Sequence, residues 1–279
     1  ISLCKRGKMK KFGIVINEIK DPKMEVTQRI QSYLHSRGAS CAMVKHAQDL
    51  TEEVECMLVL GGDGTVLQAA GGVAGKQIPM IGVNLGTLGY LTEIELDTLE
   101  EALEQLIIDD YVLDERIMLQ GRIVRKDSVE DISPALNDIS ITRCGSLQII
   151  SLKIYVNGQF LCRWNADGII IATPTGSTGY NMSAGGPIVE PGANLIVLTP
   201  ICAHTLNARS IILKAEDIVE IEIDSGHNGT ILQVEANSDG SERISMETGD
   251  KIFISQAKNT TKIIKLSKVS FLEILHKKM

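Results

Sequence analysis

The ten residues LVLGGDGTVL, at positions 58–67, join an apolar run to a loop of three glycines and one aspartate. The run has the length of a buried strand, and residues 67–73 have the composition of a short Ala/Gly helix. In open α/β sheets, ligands bind where strands end, glycines let the backbone approach a phosphate, and a helix N-terminus supplies free N–H groups. The stretch therefore predicts a strand–loop–helix unit with a phosphate or nucleotide loop formed by Gly61, Gly62, Gly64 and Thr65.

Asp63 is the residue of this loop that a phosphate cradle does not explain, because a carboxylate repels a phosphate. Its presence is explained if it faces a hydroxyl group that must lose a proton. A positioned general base raises a rate about 10²- to 10⁴-fold. The alternative interpretation is a tight Asp-Gly turn that only connects a strand to a helix. The loop matches neither a Walker A motif nor GxGxxG.

Short strand-like runs alternate with helical patterns on both sides of this loop, which is typical of a parallel sheet covered by helices. A helix capped by Asp97 is predicted within this part of the chain. From about residue 111 onward strand-like runs dominate, and the Asn157-Gly158 pair between two of them predicts a hairpin. The sequence thus predicts an α/β domain followed by a β-rich domain.

A second polar, glycine-rich loop lies in DGIIIATPTGSTGYNMSAGGPIVEP, residues 167–191. It follows an apolar strand, and Tyr180 in it has a flat face that can stack on a base. A polar loop that caps a helix at Ser177 is the alternative. The Asn137-Asp138 pair suits the hydroxyl groups of a ribose, and an Asx turn at a strand start is the alternative there.

Composition limits the partners. The 279 residues carry a formal net charge of −7, which argues against a nucleic-acid surface. No apolar run reaches the roughly 18 residues of a bilayer span, so no membrane partner is predicted. The six cysteines are scattered without zinc spacing, which predicts reduced thiols and a cytoplasmic location. A short basic run extends from Lys5 to Lys11 around Met9, which is a candidate for the natural start, so the sequence leaves open whether residues 1–8 belong to the native protein.

Taken in order, four motifs make the sequence resemble the NAD kinases: GGDGT at 61–65, LGTLGYLT at 85–92, ALND at 135–138 and DGIIIATPTGSTGYNMSAGGPI at 167–188. The resemblance covers nearly all of the chain after Met9. It implies a Rossmann-like α/β domain over 1–112, a β-sandwich domain that binds a dinucleotide over 113–252, and a segment, 253–279, that returns to the first domain. It also implies a homodimer or homotetramer.

The resemblance implies a reaction as well. The γ-phosphoryl group of ATP moves to the 2′-hydroxyl of the adenosine ribose of NAD, and Asp63 acts as the base on that hydroxyl. The residues that the resemblance assigns to NAD are Tyr90, Asn137, Asp138, Asp167, Thr178, Gly179, Tyr180 and Ser183. Of these, Tyr90 lies against adenine and Asp167 faces the nicotinamide end.

Four positions depart from the family pattern. Asp138 stands where a glutamate is common, Gly179 where an alanine precedes the tyrosine, Asn165 where an arginine is frequent, and Ser241 where a DGQ turn has glutamine. These changes bear on affinity and substrate preference, since Asp63 and Tyr180 are retained.

No lysine or arginine lies within GGDGT or TPTGSTGY. The phosphate charge is therefore expected to be met by backbone N–H groups and by a divalent ion, Mg²⁺, which is held mainly by ATP and whose protein ligands are unknown.

Two other functions are possible for such a sequence. A lipid or small-molecule kinase with GGDGT predicts an apolar acceptor pocket, whereas the second loop is polar. A non-catalytic dinucleotide sensor predicts loss of the loop aspartate, which is present.

Overall fold

A computed structural model describes residues 8–86, 89–145, 149–205, 207–267 and 269–278, without the side chains of residues 227, 242 and 277. Of the basic run, Lys5 and Arg6 lie outside the described residues. The helices are α1 (Glu25–Ser36), α2 (Asp63–Val73), α3 (Leu99–Ile107), α4 (Tyr180–Ser183) and α5 (Phe271–Lys278). The strands are β1 (Lys11–Val15), β2 (Ser40–Val44), β3 (Cys56–Gly61), β4 (Met80–Asn84), β5 (Thr92–Ile94), β6 (Val112–Arg116), β7 (Leu119–Val124), β8 (Val129–Asp131), β9 (Asp138–Arg143), β10 (Ile150–Val156), β11 (Gln159–Ala166), β12 (Gly168–Ala172), β13 (Leu195–Ile201), β14 (Ile211–Lys214), β15 (Val219–Ile223), β16 (Gln233–Ser238), β17 (Glu242–Glu247), β18 (Lys251–Gln256) and β19 (Thr261–Lys265).

The chain forms two compact units, one from residues up to Arg116 together with those from Thr260 onward, the other from Ile117–Asn259. The first unit contains a seven-stranded sheet in the order β2-β1-β3-β4-β19-β6, in which β5 also pairs with β4. Every pairing is parallel except that of β19 with β6. The central position of β3 follows from its sequence, because all six of its residues are apolar or glycine and all are buried.

Helices α1 and α3 contribute to the apolar core of the first unit with Ile30, Leu34, Leu103 and Leu106. Gly38 follows the C-cap residue of α1, Arg37, and its positive φ of 76° is the left-handed conformation that glycine adopts just after a helix C-terminus. The predicted cap of α3 is wrong. Asp97 lies in a 3₁₀ turn before α3, Thr98 occupies the cap position, and neither helix start has a side-chain cap bond.

The second unit contains two six-stranded sheets, β11-β10-β15-β18-β7-β8 and β14-β13-β12-β9-β16-β17. All pairings in both are antiparallel. Side chains of both sheets, such as Leu152 and Ile154 from one and Ile139 and Ile169 from the other, share one buried core. An antiparallel β-sandwich results.

The predicted fold class, an α/β domain with a β-sandwich domain, is confirmed. The predicted hairpin at Asn157-Gly158 is also present: the two residues have φ of 50° and 76°, as in a type I′ turn between β10 and β11. None of the helices in the described part of the chain has the length and apolarity that a bilayer span requires.

Candidate functional site

Three loops of the first unit start at neighbouring strands. Strand β3 pairs with β1 on one side and with β4 on the other, and all three are parallel. The loops that follow them, at residues 16–24, 62 and 85–91, therefore begin at the same edge of the sheet. This edge, at the carboxyl ends of parallel strands, is where α/β folds bind their ligands.

Asp63 connects two of these loops. It is the first residue of α2, and its carboxylate accepts hydrogen bonds from the N–H of Tyr90 to Oδ2 (2.7 Å) and from the N–H of Leu91 to Oδ1 (2.9 Å). The GGDGT and LGTLGYLT motifs are thus parts of one arrangement. Each carboxylate oxygen has two acceptor sites, so one on each oxygen remains for a further donor such as a hydroxyl group.

The glycines of the first loop have different roles. At Gly61, which ends β3, a β-carbon would overlap the side chain of Thr65, so this glycine is required by packing. At Gly64 a β-carbon would meet no described atom within 4 Å. Packing therefore does not explain Gly64, whereas close approach of a ligand to the backbone would.

The Tyr90 ring has a partner that the sequence did not reveal. The Lys278 ammonium, on α5, lies 4.1 Å from the centre of the ring, which is cation–π distance. A base that stacked on this face of Tyr90 would replace the lysine. The structure therefore gives the ring a contact within the first unit, and its predicted contact with adenine stays a prediction.

In the second unit, Asp239 holds the ALND motif in place. Its carboxylate accepts hydrogen bonds from the N–H groups of Leu136 (2.7 Å), Asn137 (2.8 Å) and Asp138 (3.1 Å). Asp239 begins the turn between β16 and β17, with a φ of 48°. In the sequence, Asp239 is the first residue of the stretch that corresponds to the DGQ turn of the family, and nothing there indicates this role. The contact joins residues about a hundred positions apart, and only the pairing of β9 with β16 brings them together.

Asp138 is a buried carboxyl group, 7% exposed, beside a second carboxylate. Burial, and then the charge of Asp239, raise the pKa of Asp138 to about 7. Burial also raises the pKa of Asp239, but its three backbone N–H bonds act in the opposite direction and favour its charged form. We therefore place the proton on Asp138 and the charge on Asp239.

The second glycine loop packs directly on Asn137. The Asn137 carbonyl accepts the N–H of Thr173 (2.8 Å), and a β-carbon at Gly176 would overlap that carbonyl. A β-carbon at Gly179 would lie 3.3 Å from the Asn137 side-chain amide nitrogen. These contacts bring the ALND motif and the TPTGSTGY loop together. The strand pairing does the same, because Asp138 of β9 pairs with Ala172 of β12.

Tyr180 begins α4 and is 44% exposed. Burial raises the pKa of its hydroxyl group, and Asp138, Cys202 and Asp167 raise it further. Thr178 and Ser183 lie on the same short segment, the first partly exposed and the second exposed.

A buried side chain that the sequence analysis missed supports this loop. Asn181 is 0% exposed, and its amide donates to the carbonyls of Ser177 (3.1 Å) and Pro187 (3.0 Å). Its amide oxygen accepts the Thr199 hydroxyl (2.7 Å). An asparagine next to a proposed ligand residue gave no signal of this role in the sequence.

Three further predicted residues have their own surroundings. Asp167 forms an ion pair with Arg143, at 3.1 Å between Oδ1 and Nε. Asn165 is exposed on β11, which belongs to the sheet opposite β12. The Ser241 hydroxyl donates to the Ser238 carbonyl (3.0 Å) and so closes the turn that Asp239 begins. In the described ranges, no group of three or more His, Cys, Asp and Glu side chains is arranged to hold a metal ion.

Comparison with known proteins gives one consistent result. Residues 44–111 match the ATP-NAD kinase N-terminal domain, and residues 136–266 match the ATP-NAD kinase C-terminal domain. A protein of Agathobacter rectalis described as NAD kinase is 46% identical over 97% of this chain and 99% of its own length. The crystal structure of yeast NADH kinase complexed with NADH has a TM-score of 0.86 at 25% identity, covering 98% of this chain and 88% of the yeast chain. An NAD kinase of Archaeoglobus fulgidus, solved in complex with ATP, shares the fold with a TM-score of 0.77 at 23% identity, covering 92% of this chain and 94% of the archaeal chain.

Proposed function

The chain belongs to the NAD kinase family, and we propose that Asp63 is the base that accepts the proton of the acceptor hydroxyl. As an NAD kinase it is a phosphotransferase with ATP and NAD as substrates. The relatives favour neither the lipid-kinase nor the sensor alternative. The observation that carries the proposal is the placement of Asp63, whose two carboxylate oxygens are held by the N–H groups of Tyr90 and Leu91.

The proposed step balances without a covalent enzyme intermediate. The 2′-oxygen of the adenosine ribose of NAD forms a bond to the γ-phosphorus of ATP. The bond from that phosphorus to the β–γ bridging oxygen breaks, and ADP leaves. The 2′-hydroxyl proton passes to the Asp63 carboxylate. Phosphoryl transfer of this kind depends mainly on positioning and charge stabilisation, which a rigidly held carboxylate and a glycine loop can supply.

We assign the phosphate-binding loop to Gly61, Gly62, Gly64 and Thr65, where the backbone is accessible at Gly64. We assign NAD binding to the second unit, with Asn137 and Asp138 at the ribose hydroxyls and Tyr180 at the base. This assignment is supported by the packing of the ALND motif against the TPTGSTGY loop and by the exposed ring of Tyr180. We also assign Thr178, Gly179 and Ser183 to the NAD site, with Asp167 at the nicotinamide end of that site. Asn165 and Ser241 are assigned to its periphery.

We propose that Mg²⁺ arrives as part of the MgATP substrate. Mg²⁺ is commonly bound through substrate phosphates with one or two carboxylates, and the described residues contain no cluster that would hold it alone. We propose a cytoplasmic location, because Cys41, Cys56, Cys144, Cys162 and Cys202 are free thiols. A homodimer or homotetramer is proposed from the family resemblance, and sedimentation equilibrium tests it.

The reaction is tested with γ-labelled ATP and two acceptors. NAD should receive the label, and NAD that lacks the 2′-hydroxyl should not, because the nucleophile is missing. Label on the 2′-deoxy acceptor would show that another hydroxyl is phosphorylated. Without label on either acceptor, the proposed reaction would be wrong for this chain.

A further inference from the structure

Lys20 lies in the loop that follows β1, and its backbone is fixed on both sides. Its N–H donates to the Asn17 side-chain oxygen (3.1 Å), and the N–H of Asp21 donates to the Asn17 carbonyl (2.8 Å). The Asp21 carboxylate is 5% exposed and accepts both the N–H (2.9 Å) and the hydroxyl (2.7 Å) of Thr27 in α1. The loop that presents Lys20 is therefore anchored to the start of α1.

The Lys20 ammonium lies between the two glycine loops around Asp63. It is 3.4 Å from the position that a β-carbon would occupy at Gly62, and 3.4 Å from that position at Gly86. Gly62 precedes Asp63 in the GGDGT loop. Gly86 lies in the LGTLGYLT loop, before the residues whose N–H groups donate to Asp63. The order β1-β3-β4 of the sheet explains why one side chain reaches both loops.

This ammonium has no acidic partner in the described part of the chain. None of the ion pairs there includes Lys20, and no hydrogen bond of its Nζ atom is found with a described residue. The carboxylate of Asp63 is instead bound by the N–H groups of Tyr90 and Leu91. Other described lysines also lack an ion pair, and what distinguishes the Lys20 ammonium is its place beside both Gly62 and Gly86. Its charge is available to an anion.

We propose that the Lys20 ammonium binds a phosphate oxygen of a substrate at the Gly62 and Gly86 loops. This inference rests on the proposed function, in which the acceptor hydroxyl lies at Asp63. The phosphate belongs either to the triphosphate of ATP or to the diphosphate of NAD, and the chemistry of recognition is the same. Lysine binds phosphate as a compact point charge, and such a charge stabilises the negative charge of the transferred group. The cation absent from the GGDGT motif is thus supplied by a different loop.

The test compares Lys20→Met, Lys20→Arg and the control Lys23→Met. Methionine removes the charge at similar length, arginine restores it, and Lys23 is an exposed lysine of the same loop whose Nζ is 3.9 Å from Glu25. Steady-state kinetics are measured with each substrate varied in turn. In parallel, the rise in melting temperature caused by inorganic tripolyphosphate is recorded as a readout that does not depend on catalysis.

We expect Lys20→Met to lower kcat/KM about 10- to 100-fold, as for the loss of one charge-assisted hydrogen bond, and to weaken the tripolyphosphate shift. Lys20→Arg should recover part of both, and Lys23→Met should match wild type. A loss confined to the ATP dependence identifies the donor phosphates, and one confined to the NAD dependence identifies the diphosphate of NAD.

Wild-type kinetics and an unchanged tripolyphosphate shift in Lys20→Met would overturn the inference. Equal losses in Lys20→Met and Lys20→Arg, together with a lower melting temperature, would also overturn it, because they indicate a structural role. Neither result would affect the proposed function, which is tested separately by the labelling of NAD in the wild-type chain and by the turnover of Asp63→Asn.

Discussion

Gly89 and Asp63 are so close that residue 89 has no room for a β-carbon, because one placed there would overlap the Asp63 carboxylate. The N–H groups that bind this carboxylate belong to the next two residues, Tyr90 and Leu91. The glycine at position 89 thus allows the backbone of the LGTLGYLT loop to approach the carboxylate closely.

Gly89→Ala should separate the loop from Asp63 and misplace the carboxylate. We expect kcat to fall at least about 10²-fold, the lower range for loss of a positioned base, with the fold retained. Gly75→Ala is the matched control, since a β-carbon at Gly75 meets no described atom within 4 Å. Steady-state NADP formation and melting temperature are measured for both. Normal turnover in Gly89→Ala would show that the contact is unimportant for catalysis.

Tyr180→Ala should weaken NAD binding. Stacking of a base on an aromatic ring contributes about 1–3 kcal/mol, so KM for NAD should rise about 5- to 150-fold while Tyr180→Phe stays near wild type. Phe160→Ala removes another exposed ring, at 60% exposure, and serves as the control. An unchanged KM for NAD in Tyr180→Ala would refute the stacking assignment.

Two glycines of the TPTGSTGY loop should differ in their tolerance of alanine. Gly176→Ala places a β-carbon on the Asn137 carbonyl and should lower the melting temperature by several degrees, as steric overlap in a packed region costs about 1–3 kcal/mol. Gly179→Ala brings a β-carbon only to 3.3 Å from the Asn137 amide. It should leave stability nearly unchanged and alter KM for NAD a few-fold. Thermal unfolding and NAD titration of both variants check this, and equal destabilisation would contradict it.

Asp138 makes stability depend on pH in a predictable direction. The folded protein keeps a proton on Asp138 up to a pKa of about 7, whereas the unfolded chain releases it near pH 4. The contribution of the Asp138 proton to the free energy of unfolding is therefore fully present below about pH 4, and it is lost as the pH rises through about 7. The melting temperature of Asp138→Asn, measured against wild type, should become relatively higher over this range.

Asp127→Asn, at an exposed position, is the control for the pH series. If the melting temperatures of wild type and Asp138→Asn changed in parallel between pH 4 and 7, Asp138 would not carry the proton.

Features within one short stretch could be predicted from the sequence, and features that join distant stretches could not. The buried strand before GGDGT and the turn at Asn157-Gly158 depend on neighbouring residues, and both are present. The bonds from Tyr90 and Leu91 to Asp63 require β3 to pair with β4, and the position of Lys20 requires β1 to pair with β3. The support of ALND by Asp239 requires β9 to pair with β16. The order of strands in a sheet produces no pattern within a short stretch of sequence, so these contacts could not be predicted from it.

The start of α3 shows that a feature within one short stretch can also be predicted wrongly. Asp97 has the residue type of a helix cap, but an additional 3₁₀ turn moves the helix start past it. Propensity alone does not distinguish these two starts, which differ by one residue.

The most direct test of the account is the rate of NADP formation by Asp63→Asn, with MgATP and NAD saturating and NADP detected by an NADP-specific dehydrogenase. Asparagine keeps the size of the side chain but is a very weak base, so kcat should fall about 10²- to 10⁴-fold. Melting temperature and NAD affinity, measured alongside, should stay near wild type if Asp63 acts on the proton. Near-wild-type turnover in the folded Asp63→Asn protein would contradict the account.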